Sequence, residues 1–294
     1  MKSTLSPRTA VLILLVIATV FGANHIAARI SFEHGASVAT AVFARAGVTA
    51  VLLFMLMRLG GVRMSLRGGT LARGLVIGLL ICAQSFCIFS AVARIPVALA
   101  LLAFNAFPVL LAILAWVLDG KRPSARIVAA MFLALFGLGL ALDLVGADLA
   151  GRWQDIGVGV TFGLGAAVSY ALALYLTGRW LQDVDGRMRT FLTVSVTAVV
   201  MLAAALGGVS FSLPASTTGW ASLALMSLLY GLALTAVFTV QPMPGVSRYT
   251  AALNFEPIAL LFMGWAILGQ SVKPLQVLGA FIVIGAVILM GSRK

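Results

Sequence analysis

Asn105-Ala-Phe-Pro108 returns 149 residues later as Asn254-Phe-Glu-Pro257. The same offset carries Trp116 onto Trp265 and Gly120 onto Gly269, and the correspondence runs from residue 71 to residue 120. In each copy the proline falls near the middle of an apolar run of membrane-spanning length. A duplicated membrane unit with helix-interrupting prolines at matching places points to a secondary transporter.

Composition agrees. Of the 294 residues, 62% are hydrophobic and 10% charged, with a mean hydropathy of +1.13. Soluble domains carry roughly 25% charged residues, so this chain cannot coat a globule with polar surface, and lipid is its solvent. The net charge of +12 does not indicate nucleic acid. The basic residues sit in short breaks between apolar runs and form no continuous basic face interleaved with aromatics. Cys82 and Cys87 lie in one apolar segment, about 7.5 Å apart along a helix. That is too far for a disulfide, and no other metal-type ligands accompany them, so they read as packing residues.

Ten apolar stretches are legible, at about 10–28, 36–58, 70–93, 96–118, 125–144, 156–179, 187–206, 218–240, 246–268 and 273–292. Each supplies about 20 residues and hence about 30 Å of helix. The first is read as a span and not as a signal peptide, because its removal would break a five-plus-five repeat. The expected fold is therefore all-α and integral to the membrane. Ten transmembrane helices form two five-helix repeats, residues 1–148 and 149–294. An odd number of spans per repeat inverts the second copy relative to the first.

Orientation follows from lysine and arginine. With the N-terminus inside, the inner segments hold Lys2 and Arg8; Arg58, Arg63, Arg67 and Arg73; Lys121, Arg122 and Arg126; Arg179, Arg187 and Arg189; Arg293 and Lys294. The outer segments hold Arg29, Arg94, Arg152 and Lys273. Both termini are expected in the cytoplasm, with the chain in a bacterial-type inner membrane.

Several stretches carry a family resemblance. Ala91-Val-Ala-Arg-Ile-Pro-Val-Ala-Leu-Ala100, Asn105-Ala-Phe-Pro108 and Ala115-Trp-Val-Leu-Asp-Gly-Lys-Arg122 resemble an EamA repeat of the drug/metabolite transporter superfamily. In the second half, Gly245-Val-Ser-Arg-Tyr-Thr-Ala-Ala252, Phe255-Glu-Pro257 and Gly264-Trp-Ala-Ile-Leu-Gly269 are similar. Phe21-Gly-Ala-Asn24 resembles the family's Trp-Gly-Ser-Asn, and Arg45 resembles an arginine of its second helix. Within the superfamily the chain most resembles the YddG-type exporters of aromatic and other neutral amino acids. It departs from the family pattern at Phe21, where Trp is frequent, and at Gln270, where Glu is usual. The resemblance implies a central cavity lined by helices one, three, four, six, eight and nine. Helices five and ten would lie at the periphery or at a dimer contact, leaving monomer and homodimer both open.

The candidate transport residues follow from membrane chemistry. Pro108 and Pro257 lack an N–H, so the carbonyls of Phe104 and Leu253 lose a helical partner. They read either as hinges at a midplane site or as static kinks. Asn105 and Asn254, at equivalent places, either bind substrate or staple helices. Glu256 is the one acid deep in a span, so it should face the interior and have a partner. It serves as a coupling group or substrate-ammonium site, or else pairs with Arg248 or Arg45. Arg45 braces the bundle, reaches the outer headgroups or holds a carboxylate. Asn24 and His25 form either a packed polar pair or, through the histidine, a pH sensor. Gln84, Tyr170, Tyr175 and Tyr230, with Phe21, Phe86 and Phe104, are candidates for an aromatic pocket with a few hydrogen-bonding heads. Gly159-Val-Thr-Phe-Gly163 permits a close helix approach, within the chain or between chains.

An intramembrane enzyme is disfavoured. His25 and His34 are not spaced as ligands, and Glu256 has no obvious second acid. Neither a phosphate loop nor a cofactor motif is present. The expected partners are a small-molecule substrate and membrane lipids, and the closest competing cargo is a lipophilic cation or drug.

Overall fold

A computed structural model describes residues 6–61, 68–120, 122–141, 149–240, 243 and 246–291, and every regular element in it is helical. The elements are α1 (Pro7–Glu33), α2 (Val38–Leu59), α3 (Gly68–Arg94), α4 (Val97–Phe104), α5 (Phe107–Asp119), α6 (Ala125–Ala141), α7 (Leu149–Trp180), α8 (Gly186–Leu206), α9 (Thr217–Val240), a 3-10 segment (Val246–Phe255), α10 (Glu256–Leu268) and α11 (Pro274–Gly291). Among the described residues, seven helical stretches are long and apolar enough to cross a membrane, and three more are shorter and apolar. The connection 142–148, which ends at the expected boundary between repeats, lies outside the described residues.

Helix starts follow local chemistry. Ser6 precedes Pro7 and accepts the Thr9 N–H, and Ser37 accepts the Thr40 N–H. Each serine caps a donor that has no intrahelical partner.

The interruptions expected at the repeated prolines of spans four and nine are seen, as full breaks in the helix and not as bends within one. Both spans are divided. α5 begins at Phe107 and α10 at Glu256, each with its proline at the second helical position. A proline there removes an N–H that would be unpaired anyway, so it starts a helix cleanly where it would have distorted a continuous one. The preceding stretches differ: α4 is α-helical, whereas Val246–Phe255 is a 3-10 helix. Both second parts end alike, at Gly120 (φ 68°) and Gly269 (φ 62°), in the left-handed region that favours glycine. The 149-residue offset therefore holds at both ends of this helix pair.

Helix pairing follows the same exchange of halves. α1 packs on α9 as α7 packs on α3, and α2 packs on α9 as α8 packs on α3. α1 meets the 3-10 segment and α10, as α7 meets α4 and α5. Two contacts, α2 with α8 and α6 with α11, map onto themselves.

Small residues set the tightest crossings. A Cβ on Gly163 would stand 2.8 Å from Ala103 Cβ, and one on Gly159 would strike Ile95. The Gly159–Gly163 pair is thus spent inside the chain, seating α7 on α4 and the turn before it. A Cβ on Gly137 would fall 2.9 Å from the Gly279 carbonyl, so α6 and α11 meet nearly backbone to backbone. Their other faces carry exposed phenylalanines such as Phe132 and Phe281, placing this pair at the bundle's edge. Cys82 and Cys87 are both free thiols.

Candidate functional site

The centre of the bundle is assembled from both halves. On α1, Phe21 and His25 stand one turn apart. Between them Gly22 lets α10 approach, since a Cβ there would lie 2.9 Å from Met263 and 3.3 Å from Leu260. That approach brings Glu256, first residue of α10, to His25. Its Oε1 is 3.5 Å from His25 Nε2, with 25% of the glutamate side chain and 9% of the histidine accessible. The distance exceeds the 2.7–3.2 Å of a good N–H···O bond, so the contact is loose. His25 Nδ1 is buried and has no hydrogen-bond partner among the described residues. The carboxylate also stands at a helix N-terminus, where negative charge is favoured.

Arg45 on α2 is buried, and its guanidinium lies between two rings, 4.4 Å from the centre of Phe89 and 4.2 Å from that of Tyr230. Its Nη2 donates to Ser85 Oγ at 2.7 Å, and Ser85 donates in turn to Gln84 Oε1 at 3.3 Å. Tyr230 reaches the arginine because Gly231 leaves α9 close to α2, where a Cβ would lie 2.6 Å from Leu52. Phe21 meets Tyr230 edge-on at 5.8 Å, and His25 meets Phe89 likewise at 5.8 Å. His25 and Arg45 therefore share Phe89 as a neighbour.

A second ring cluster adjoins the break between α4 and α5. Phe104, Phe107 and Tyr170 have mutual ring-centre distances of 5.2, 5.3 and 5.0 Å. Tyr170 comes from α7, so this cluster also bridges the halves.

Not every candidate from the sequence reaches the centre. Phe86 is 36% exposed on α3, turned about 100° from the adjacent, inward Ser85. Tyr175 lies toward the other end of α7, where its hydroxyl donates to Asp119 at 2.7 Å and accepts from Arg179 at 2.9 Å. Together with Leu118, Gly178 and Gln182 these residues line an open cavity of about 560 Å³. Asn105 turns its amide onto its own helix, donating to the Leu101 carbonyl at 2.9 Å, and lines a narrow apolar crevice toward α6 and α11. Asn24 is fully buried. With its amide oriented to satisfy both ends, it donates to the Met226 carbonyl at 3.1 Å and accepts from the His25 backbone N–H at 3.3 Å. It staples α1 to α9. Asn254 is half-buried, two residues before Glu256.

Of the two arginines considered, Arg45 does not pair with Glu256. The neighbour of Glu256 is His25, while Arg45 turns to Ser85 and the two rings. The Arg248 side chain lies outside the described residues. The second span, left out of the expected cavity lining, contributes Arg45. Sequence reasoning passed over Ser85, Phe89 and Phe107. Ser85 and Phe89 are one turn apart on α3, and a buried arginine on the neighbouring helix demands such a face, a polar acceptor followed by a ring. Phe107 was readable as the residue beside a repeated proline. Among the described residues no group of three or more metal-type side chains gathers.

A bundle of apolar helices with charged and aromatic groups at a seam between two matching halves defines a multi-pass membrane protein of the transporter class. The family comparison makes this specific: the EamA-like transporter family matches at residues 8–142 and again at 157–292, and the chain belongs to that family. It is a small-molecule transporter of the drug/metabolite superfamily. A crystal structure of another protein aligns over 96% of this chain and 96% of that one, with a TM-score of 0.64 at 16% identity, which speaks to the fold alone. Comparison with curated proteins gives no significant match.

Proposed function

We propose that this transporter exports neutral amino acids, aromatic ones foremost, by alternating access of two inverted five-helix repeats. The observation that carries the reading is the central cluster. Rings from both halves (Phe21, Phe89 and Tyr230) adjoin an imidazole and a guanidinium, with an acid beside the imidazole, and Phe104, Phe107 and Tyr170 form a second ring group at the break between α4 and α5. Such a lining accepts an apolar side chain while a few polar groups fix its orientation. The helix pairing that survives exchange of the halves supports two inverted repeats. The bias of lysine and arginine toward alternate connections supports cytoplasmic termini in a bacterial-type inner membrane.

In this mechanism the halves rock about the seam. α5 and α10, each started by a proline, tilt as short rigid rods, with Pro108 and Pro257 at the points where the chain bends. The substrate sits between His25 and Tyr170, and the gradient of cytoplasmic amino acid drives efflux. Glu256 is the group through which a proton would couple.

Efflux of lipophilic cations is the second reading, favoured by the accessible carboxylate of Glu256 amid rings. Counterflow separates the two. Purified protein in liposomes loaded with unlabelled phenylalanine is diluted into trace labelled phenylalanine. Transient accumulation that other neutral amino acids suppress is the expected result. No accumulation, with a control carrier active in the same lipids, overturns the amino-acid reading.

A further inference from the structure

Arg45, which is buried, and Glu256, which is partly buried, present opposite charges in one cluster and do not pair. Arg45 donates to the neutral Ser85 hydroxyl and stacks between Phe89 and Tyr230. Glu256 stands 3.5 Å from a histidine that is itself buried. His25 touches the same Phe89 ring as the guanidinium and also meets Glu256, so acid and base are linked through common neighbours. Charges removed from water are costly unless paired and hydrogen-bonded. Here each keeps only partial compensation. Among the described residues the hydrogen bonds of Arg45 end at Ser85, which leaves most of its N–H donors uncommitted. His25 Nδ1 is likewise without a partner. A ligand carrying one negative and one positive group would complete both sides at once.

We propose that Arg45 reads the substrate carboxylate and Glu256, with His25, reads its ammonium, so that the site takes zwitterions and rejects molecules bearing either charge alone. This rests on the amino-acid reading above and sharpens it. Arg45 acts as a specificity-determining residue, held flat by Phe89 and Tyr230 so that its free edge faces the ligand. His25 yields Glu256 to the incoming ammonium.

Equilibrium binding of labelled phenylalanine to the purified full-length protein tests this, with unlabelled phenylalanine, phenethylamine and 3-phenylpropionate as competitors. All three carry the same ring. Phenylalanine is expected to compete best, and each half-molecule at least about tenfold less well, the worth of one lost charge-assisted contact. Arg45→Met keeps an unbranched apolar side chain between the rings and removes the charge. It is expected to weaken phenylalanine about tenfold while leaving phenethylamine unchanged. Glu256→Gln is expected to do the reverse, sparing 3-phenylpropionate. A purely structural Arg45 would weaken all three ligands together. If Arg45→Met does not fold, the wild-type competition series still decides. Phenethylamine competing as well as phenylalanine overturns the zwitterion site and leaves the ring pocket standing. Absence of any phenylalanine binding overturns the amino-acid reading with it.

Discussion

Alanine at Gly279 and alanine at Gly285 form a matched pair on α11. A Cβ at Gly279 would lie 2.5 Å from the Gly137 carbonyl and 2.9 Å from Ala141 Cα, while a Cβ at Gly285 meets nothing within 4 Å. The obstacles at Gly279 are backbone atoms, so no side-chain rotation relieves them and α6 and α11 must separate. Both substitutions gain the same helix propensity, about 0.8–1 kcal/mol, so the difference between them isolates the steric term. Overpacking of this kind costs typically about 1–3 kcal/mol. At about 2–4 °C per kcal/mol for large domains, the two variants should differ in thermal midpoint by roughly 2–12 °C, Gly279→Ala being the lower. The assay is a thermal ramp of both purified variants in one detergent, beside the wild type. Equal midpoints, or a Gly285→Ala midpoint below that of Gly279→Ala, would refute the backbone contact between α6 and α11.

Gly22→Leu should block the approach of α10 to α1 and abolish transport at equal expression, because it displaces Glu256 from His25; retained transport would break the proposed link between that approach and the site. Asn24→Ala should lower stability by about 0.6–1.7 kcal/mol, the measured range for hydrogen bonds between membrane helices, and leave phenylalanine affinity unchanged in equilibrium binding. Tyr170→Ala should weaken phenylalanine binding about three- to tenfold through loss of its ring contacts, whereas Tyr175→Phe, at the Asp119–Arg179 cluster, should leave it unchanged. Phe86→Ala, at an exposed position on α3, should leave counterflow at the wild-type rate.

What the sequence could show divides along a physical line. Span length, the 149-residue offset and the small-residue crossings depend on local pattern, because lipid forces the backbone to satisfy itself within each helix. The helix ends at Gly120 and Gly269 and the starts near Pro108 and Pro257 were readable for the same reason. Side-chain partners were not. For Glu256 an arginine, Arg248 or Arg45, was one reading beside a coupling role; the position of α10 against Gly22 gives it His25 and not Arg45. Asn105 sits at the same repeat position as Asn254, but its amide turns back onto Leu101. Repeat equivalence fixes where a residue stands along its helix. It does not fix which neighbour the residue faces, because the two copies have diverged around it. Phe86 and Tyr175 stand away from the central cluster through angle and depth, neither of which is visible without the helix packing.

The polar cluster also bears on which contacts can change during transport. His25 and Arg45 belong to the first half, and Tyr230 and Glu256 to the second. The contacts between the two pairs are therefore the ones that relative motion of the halves must stretch. They are also soft: a 3.5 Å acid–imidazole approach and a stacked guanidinium, neither with the directionality of a short hydrogen bond. By contrast Arg45 is tied to Ser85 at 2.7 Å within its own half. The tightest backbone crossing, α6 with α11, lies away from the centre. Soft contacts between these two pairs, beside a firm one within the first half, let the polar cluster itself change shape at small cost. In the proposed alternating-access cycle, a substrate that strengthens the contacts across the seam would hold the halves together. Transport of such a substrate then requires that the occupied site not bind too tightly, since every gain in affinity deepens the closed state from which release must occur.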